Sequence, residues 1–271
     1  MGRPLWFVKL IKKSFPRIKI IARLTKIPII GKLFEFFLFE GDILIYLTKD
    51  KVISVNQSVE KSQEMVLPSA IVEYFINKAK YHWIMNTCIC RESMSCKNYP
   101  INLGCLFLGE AVLGINPKLG RLVSKQEALE HVKKCRDAGL IHMIGKNKLD
   151  MQWLGVKPGE KLLTICNCDP CCCLWRILPF VSRDIGSKVK KMDGVYVKVN
   201  QNCVGCGICT TGVCFVDAIH LHGNIAQINE NCRGCGRCVE ICPQNAIELS
   251  VMDNEFIKKS IKKIEKVIKL T

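Results

Sequence analysis

Hydrophobic and basic residues are interleaved over residues 1–34, and no acidic residue interrupts them. Aromatic and aliphatic side chains such as Trp6 and Phe7 separate the charges, so the pattern predicts an amphipathic helix that Pro16 interrupts. Helices of this composition lie in membrane interfaces, with their lysines toward anionic headgroups. The alternatives are packing on the protein's own core or on a partner subunit. The basic residues concerned are Arg3, Lys9, Lys12, Lys13, Arg17, Lys19, Arg23, Lys26 and Lys32.

Residues 27–47 are strongly apolar, but they are too interrupted to form a membrane span. A spanning helix needs about 20 predominantly apolar residues. Charged residues such as Lys32 and Glu35 fall inside this stretch, and Pro28 breaks it. We therefore expect interfacial or buried segments here.

Short periodic stretches predict the remaining elements. Alternating or apolar runs predict strands at 51–55, 162–165, 195–199 and 225–228. A helix is predicted to begin with Ser69 as its N-cap, and a second begins at a capping box formed by Ser124 and Glu127. Residues 255–270 predict a third, basic amphipathic helix.

One cysteine and two histidines are not expected to bind metal. Cys135 keeps helical step with Ala128 and Val132, which makes it a core thiol. His131 and His142 stand alone in the sequence, so solvated or core positions are expected for them rather than metal ligation.

The composition restricts the compartment and the partners. The chain has 271 residues, 18 cysteines and a formal net charge of +16. Because no secretory signal is recognisable, we expect reduced thiols in a cytoplasmic protein, with peripheral attachment to the inner face of the membrane. Nucleic acid is not an expected partner, because Trp6 and Phe7 lie in an aliphatic run rather than among base-stacking and polar groups.

Two cysteine runs of the same design follow each other in residues 203–242. Each run has C-x2-C-x2-C spacing and is closed by a further cysteine, Cys214 in the first and Cys242-Pro243 in the second. Three thiolates at this spacing wrap three corners of an iron–sulfur cube, and a more distant cysteine binds the fourth. A structural zinc site would need only two C-x2-C pairs.

Residues 195–249 resemble a bacterial-type two-cluster ferredoxin. The resemblance implies two [4Fe–4S] clusters with crossed ligation, in which the fourth cysteine of each run serves the other cluster. The implied ligand sets are Cys203, Cys206, Cys209 and Cys242 for one cluster and Cys232, Cys235, Cys238 and Cys214 for the other. The first run departs from the pattern by one extra residue before Cys214 and by Phe215 in place of proline, and Gly212 is expected to absorb the extra residue in a turn.

A second cysteine constellation occupies residues 88–173. Adjacent cysteines cannot share one buried face, and disulfides are disfavoured in a reducing compartment, so metal ligation is the expected role. The candidate metal ligands are Cys88, Cys90, Cys96, Cys105, Cys166, Cys168, Cys171, Cys172 and Cys173. The first four are the ligands of first choice for one further iron–sulfur cluster. The other five complete that cluster, hold a second one or bind something larger, and a zinc knot is the alternative.

This region has a resemblance of its own. The segments around Cys88-Ile89-Cys90, Gly104-Cys105 and Cys166-Asn167-Cys168 resemble archaeal and anaerobe proteins known only as 4Fe–4S-binding. The resemblance spans residues 51–249 and implies iron–sulfur chemistry without naming a reaction.

Together these patterns predict an α+β protein with a mainly helical N-terminal cysteine-rich domain and a C-terminal two-cluster ferredoxin-type domain. The expected ranges are 1–47 for a docking segment, 48–190 for the cysteine-rich domain, 191–252 for the ferredoxin domain and 253–271 for the C-terminal helix.

The expected function is electron transfer between two ferredoxin-type clusters and at least one N-terminal cluster, within a membrane-surface or multi-subunit redox complex of an anaerobe. No Walker loop, dinucleotide fingerprint or catalytic triad is present, so no catalytic residue is assigned. The alternatives are a redox enzyme subunit acting on a thiol or disulfide, and a cluster biogenesis factor.

Overall fold

The computed structural model describes residues 2–50, 67–251 and 255–270. The strand predicted at 51–55 lies outside these ranges. The helices are α1 Leu5–Ser14, α2 Ile18–Leu24, α3 Pro28–Phe34, α4 Ser69–Lys78, α5 Ile89–Ser93, α6 Lys125–Asp137, α7 Lys148–Leu154, α8 Arg183–Gly186, α9 Arg237–Ile241 and α10 Phe256–Glu265. The strands are β1 Ile43–Tyr46, β2 His82–Met85, β3 Leu106–Leu108, β4 Gly120–Val123, β5 Ile141–Lys146, β6 Leu163–Cys168, β7 Val189–Lys191, β8 Val195–Val199, β9 Ile219–His222, β10 Ile225–Ile228 and β11 Ile247–Val251.

A seven-stranded sheet in the order β4-β2-β3-β6-β5-β1-β7 lies at the centre of the cysteine-rich region. Neighbouring strands are antiparallel except for the parallel pair of β1 and β7. The sequence analysis expected a mainly helical domain here, and the structure has this sheet instead. The sheet was missed because several of its strands are only three or four residues long. Such short strands give little alternation, and β3 is buried at every position.

Successive residues of the sheet face two different cores. Ile45 packs with α4, α6 and α10, whereas Leu44 and Tyr46 point to the opposite face, which α2 and residues 174–186 cover. The apolar stripe of the basic amphipathic helix predicted at 255–270 is buried in the first core, with Ile264 of α10 fully inaccessible to solvent. Only the lysine face of α10 is therefore available for other contacts.

Two helix starts were predicted in detail, with different outcomes. The Ser124–Glu127 capping box is present in full and begins α6. The prediction of Ser69 as an N-cap is wrong, because Ser69 is already helical and its backbone N–H donates to Asp50 Oδ1 at 3.0 Å.

The C-terminal part contains two similar units, and strands of one unit pair with strands of the other. Each unit has a strand, a cysteine run, a closing cysteine and a second strand, and the outer strands β8 and β11 pair while β9 and β10 form a hairpin. The predicted strands 195–199 and 225–228 agree with β8 and β10. A short helix, α9, contains Cys238, whereas residues 215–216 after Cys214 form a turn.

The N-terminal helices lie on the face of the sheet opposite α10. Pro16 lies in a 3-10 turn between α1 and α2, as its sequence position suggested. In the described part of the chain, no helix is both long enough and apolar enough to cross a membrane.

Candidate iron–sulfur centre

The first cavity of the C-terminal part, here called the outer cavity, is formed by both cysteine runs. Its walls are made by the first loop and by the segment that follows α9. The cysteines that line it are Cys203, Cys206, Cys209 and Cys242. Cys206 is exposed, so this cavity reaches the protein surface.

The second cavity of this part, here called the inner cavity, has the complementary composition. Its cysteines are Cys214, Cys232, Cys235 and Cys238. Each cavity thus receives three cysteines from one run and the closing cysteine of the other, which is the grouping that crossed ligation requires. Burial raises the pKa of Cys235 to about 11. Such a thiol stays protonated at neutral pH unless a bound cation stabilises its thiolate.

Backbone N–H groups point at the sulfur atoms in a repeated arrangement. The N–H of Ala218 donates to Cys214 Sγ at 3.2 Å, and that of Ala246 donates to Cys242 Sγ at 3.3 Å. Hydrogen bonds of this kind stabilise thiolate ligands and tune cluster potentials. The extra residue of the first run is accommodated at Gly212, which has φ +70° and open space around its Cα.

Conformational freedom is required at one glycine of each run. Gly205 has φ +68°, and a Cβ there would lie 2.4 Å from the carbonyl oxygen of Asn224. Gly234 is its counterpart in the second run, with φ +62°. Both loops therefore depend on glycine for their close approach to neighbouring atoms.

A third cavity, here called the sheet cavity, lies on the face of the sheet that α1 and α2 cover. It is lined by cysteines from α5, β6 and the loops beside them, with Phe15 and Trp175 among its apolar walls. With open solvent at the mouth included, its space is about 880 Å³, against about 330 Å³ and 370 Å³ for the outer and inner cavities. Its cysteines are Cys88, Cys90, Cys105, Cys166, Cys168 and Cys173.

The remaining three cysteines of this constellation lie apart from the sheet cavity. The sulfur atoms of Cys96, Cys171 and Cys172 are all within 4.8 Å of one another. The sequence analysis grouped Cys96 with Cys88, Cys90 and Cys105, and the structure separates it from them. It does so because Cys96 follows α5 on the chain and turns toward the loop after β6 rather than toward the sheet cavity.

Arg91 connects these two groups, and the sequence analysis overlooked it. Its side chain is fully buried and forms an ion pair with Asp169 at 3.3 Å. It also donates to the carbonyl oxygens of Leu103, Pro100 and Asn167. One guanidinium therefore fixes the loops that carry Cys96, Cys105 and the 166–172 cysteines. The sequence could have indicated this role, because Arg91 lies between two candidate ligands, Cys90 and Cys96. A search limited to metal-ligating residue types does not consider an arginine.

The inner cavity and the sheet cavity are joined through two aromatic rings. Phe215, a lining residue of the inner cavity, stacks on Tyr46 with 4.3 Å between ring centroids. The hydroxyl of Tyr46 lies 3.7 Å from Cys173 Sγ. Burial and the thiols of Cys168 and Cys173 raise the pKa of Tyr46 well above its ordinary value, so it remains protonated at neutral pH.

The histidines near the sheet cavity interact with protein groups. His131 Nε2 lies 2.8 Å from the carbonyl oxygen of Gly104, and His142 Nδ1 lies 2.8 Å from Asn167 Oδ1. Burial lowers the pKa of His142 to about 4, so it is neutral. Cys135 is fully buried beside His131, in keeping with a core thiol.

These cavities define an iron–sulfur protein, since sulfur-rich sites of this kind select iron–sulfur clusters or other thiophilic metals and the sequence comparison points to the former. Residues 210–252 match the family model of the LdpA Fe-S cluster-binding domain. The matched segment contains all four cysteines of the inner cavity and Cys242 of the outer one. No curated protein and no solved structure was found to match the chain.

Proposed function

We propose that this chain is an electron-transfer protein that relays electrons through clusters in the outer, inner and sheet cavities, in that order. The observation that carries the proposal is the stacked contact of Phe215 and Tyr46 between the inner cavity and Cys173. The outer and inner cavities would each hold a [4Fe–4S] cluster of the two-cluster ferredoxin type, with the crossed ligand sets. Cys206 is exposed at the outer cavity, so a redox partner protein would meet the chain there.

A second contact supports the same order of clusters. Arg237, next to Cys238 of the inner cavity, donates to the carbonyl oxygen of Cys168 at 2.7 Å. The loop around Cys235 is also joined to the end of β1, because the N–H of Lys49 donates to the carbonyl oxygen of Cys235 at 3.2 Å. The inner cavity is thus held firmly against the sheet cavity.

Replacing Phe215 with leucine tests the relay. We expect unchanged iron content but slower reduction of the sheet-cavity cluster, because the ring stacked on Tyr46 is lost. The measurement is rapid-freeze EPR after mixing the anaerobic full chain with a reduced ferredoxin, a donor too large to enter the sheet cavity. The matched control is Phe180→Leu, since Phe180 packs on the same core and its ring contacts Lys19 and Arg23. Equal rates in both variants would contradict the proposed path.

Redox catalysis in the sheet cavity is the second candidate function. Six cysteines line this cavity, although a cubane needs about four ligands. Its opening and its apolar walls would give a small substrate access to a cluster held there. If the EPR signal of a cluster in the sheet cavity changes when a thiol or disulfide is added, an enzyme subunit is favoured. If that signal does not change, an electron carrier is favoured.

We also propose that the N-terminal helices attach the chain to an anionic membrane surface. After Val8, Phe15 and Ala22 are buried in the cores, large apolar side chains remain exposed on the other side of these helices. Ile29 is 83% exposed and Trp6 67% exposed, and Phe36 and Phe37, in the helical turn Glu35–Phe39 that directly follows α3, are also exposed. Lys26 and Lys32 flank Ile29 in the sequence, and apolar residues interleaved with lysines are the composition of an interfacial anchor.

Point substitutions test this attachment better than a deletion, because Ile11, Phe15 and Ile18 also line the sheet cavity. The triple variant Ile29→Glu, Phe36→Glu and Phe37→Glu should lose flotation with phosphatidylserine vesicles at low salt. The control variant carries glutamate at Leu113 and Leu122, which are similarly exposed elsewhere. Each basic residue near the surface contributes about 1 kcal/mol, so added salt should weaken wild-type flotation. Flotation of the triple variant at the wild-type level would exclude this surface as the anchor.

A further inference from the structure

Cys96, Cys171 and Cys172, here called the three-thiol site, have a spacing unlike that of the other cysteine groups. In the described part of the chain, they are the only set of three or more His, Cys, Asp or Glu residues whose ligand atoms all lie within 4.8 Å of one another. No three sulfur atoms of the outer, inner or sheet cavity all lie within 4.8 Å of one another. The three-thiol site is therefore suited to a smaller ligand than those cavities are.

The individual distances match one metal ion. Cys171 Sγ lies 3.7 Å from Cys96 Sγ and 3.5 Å from Cys172 Sγ. For a tetrahedral ion with metal–sulfur bonds of about 2.3 Å, two ligating sulfurs are about 3.8 Å apart. A cubane separates its thiolates further, because each binds a different iron.

The loop that carries two of these thiols is fixed by Asp169. Its Oδ1 accepts the N–H of Cys171 at 2.9 Å and the N–H of Cys172, while its Oδ2 is paired with Arg91. Both oxygens are thus occupied by protein donors, which makes Asp169 a positioning residue rather than a fourth ligand. The tight turn directs Cys171 and Cys172 to the three-thiol site and Cys173 to the sheet cavity.

The site lies near the protein surface. Cys171 is half-buried, and the residues beside Cys96 are exposed, with Met94 at 40% and Lys97 also accessible. A metal held by three protein ligands keeps one open position. Here solvent would supply the fourth ligand.

We propose that Cys96, Cys171 and Cys172 bind a single thiophilic ion of the Zn²⁺ class, separate from the iron–sulfur clusters. Zn²⁺ has no redox chemistry, so this site would stand outside the electron relay. Its water-filled position would act as a Lewis-acid site or bind an incoming thiolate.

Zinc K-edge X-ray absorption on the anaerobic full chain tests this without any substitution, because the edge is specific for zinc in the presence of iron. After equilibration with one equivalent of zinc and dialysis, we expect about one bound zinc with three sulfur scatterers at about 2.3 Å and one lighter atom. Failure to retain zinc, or zinc surrounded only by nitrogen and oxygen, would overturn the proposal.

The variant Cys96→Ser, Cys171→Ser and Cys172→Ser adds a comparison by elemental analysis. It should lose the zinc while keeping the wild-type iron content, and the control Cys135→Ala should keep both metals. If iron falls by about four atoms in the triple variant, the three thiols are cluster ligands and the zinc site is wrong. A disulfide between two of them, found by mass spectrometry after anaerobic alkylation, would also refute it. The iron count reports on the relay, and the zinc count reports on this site.

Discussion

Replacing Cys242 with serine should remove the cluster of the outer cavity and leave that of the inner cavity in place. Cys242 is closest in sequence to Cys238, yet it lines the cavity of Cys203, Cys206 and Cys209. We expect a loss of about four irons per chain and of one set of cubane EPR signals. The measurement is iron analysis and EPR on anaerobically prepared, dithionite-reduced protein.

The mirror-image variant, Cys214→Ser, supplies the matched comparison. Cys214 follows the first run but lines the inner cavity, so its replacement should remove the inner cluster instead. In the proposed relay the inner cluster stands between the other two. This variant should therefore also block the reduction, by a protein donor, of the cluster in the sheet cavity. The two variants can be told apart by their residual signals. If Cys242→Ser removes the signals that Cys214→Ser was expected to remove, the crossed assignment is wrong.

In the C-terminal part the sequence is informative because three cysteines of each cavity lie in one run, whereas the crossed fourth cysteine was implied only by the resemblance to two-cluster ferredoxins. Cysteine spacing determines which thiols can reach one cube, and the glycines at 205 and 234 mark where the backbone must turn tightly. Less and more exposed positions alternate along β8 and β10, since each strand has one exposed side.

The cysteine-rich region was harder to predict because its contacts are distant in sequence. Cys105 Sγ lies 3.9 Å from Cys166 Sγ. These residues meet only because β3 and β6 are neighbours in the sheet. No local pattern shows that pairing. Counting cysteines along the chain therefore placed Cys96 with Cys88, whereas the sheet places Cys166 and Cys168 beside Cys88, Cys90 and Cys105 in the sheet cavity.

A buried charge at the junction of the two cysteine groups should control the stability of this region. Replacing Arg91 with methionine leaves Asp169 without its cation and deprives three carbonyl oxygens of their donor. Breaking a buried pair by removing one partner costs about 3–5 kcal/mol. We expect a lower urea midpoint for the full chain and loss of iron from the sheet cavity, with about eight irons retained in the C-terminal cavities. Circular dichroism and iron analysis measure the two effects.

Two further substitutions separate charge from geometry. Arg121→Met is the control, because Arg121 pairs with Glu127 at an exposed position where an ion pair contributes about 0–1 kcal/mol. Arg91→Lys keeps the positive charge but loses the planar fork that reaches several acceptors, so its midpoint should fall between those of wild type and Arg91→Met. If Arg91→Met unfolds like the Arg121 control and keeps its sheet-cavity iron, the guanidinium does not hold the cysteine loops. The side chain of Arg91, a residue of α5, would then only fill space between the loops.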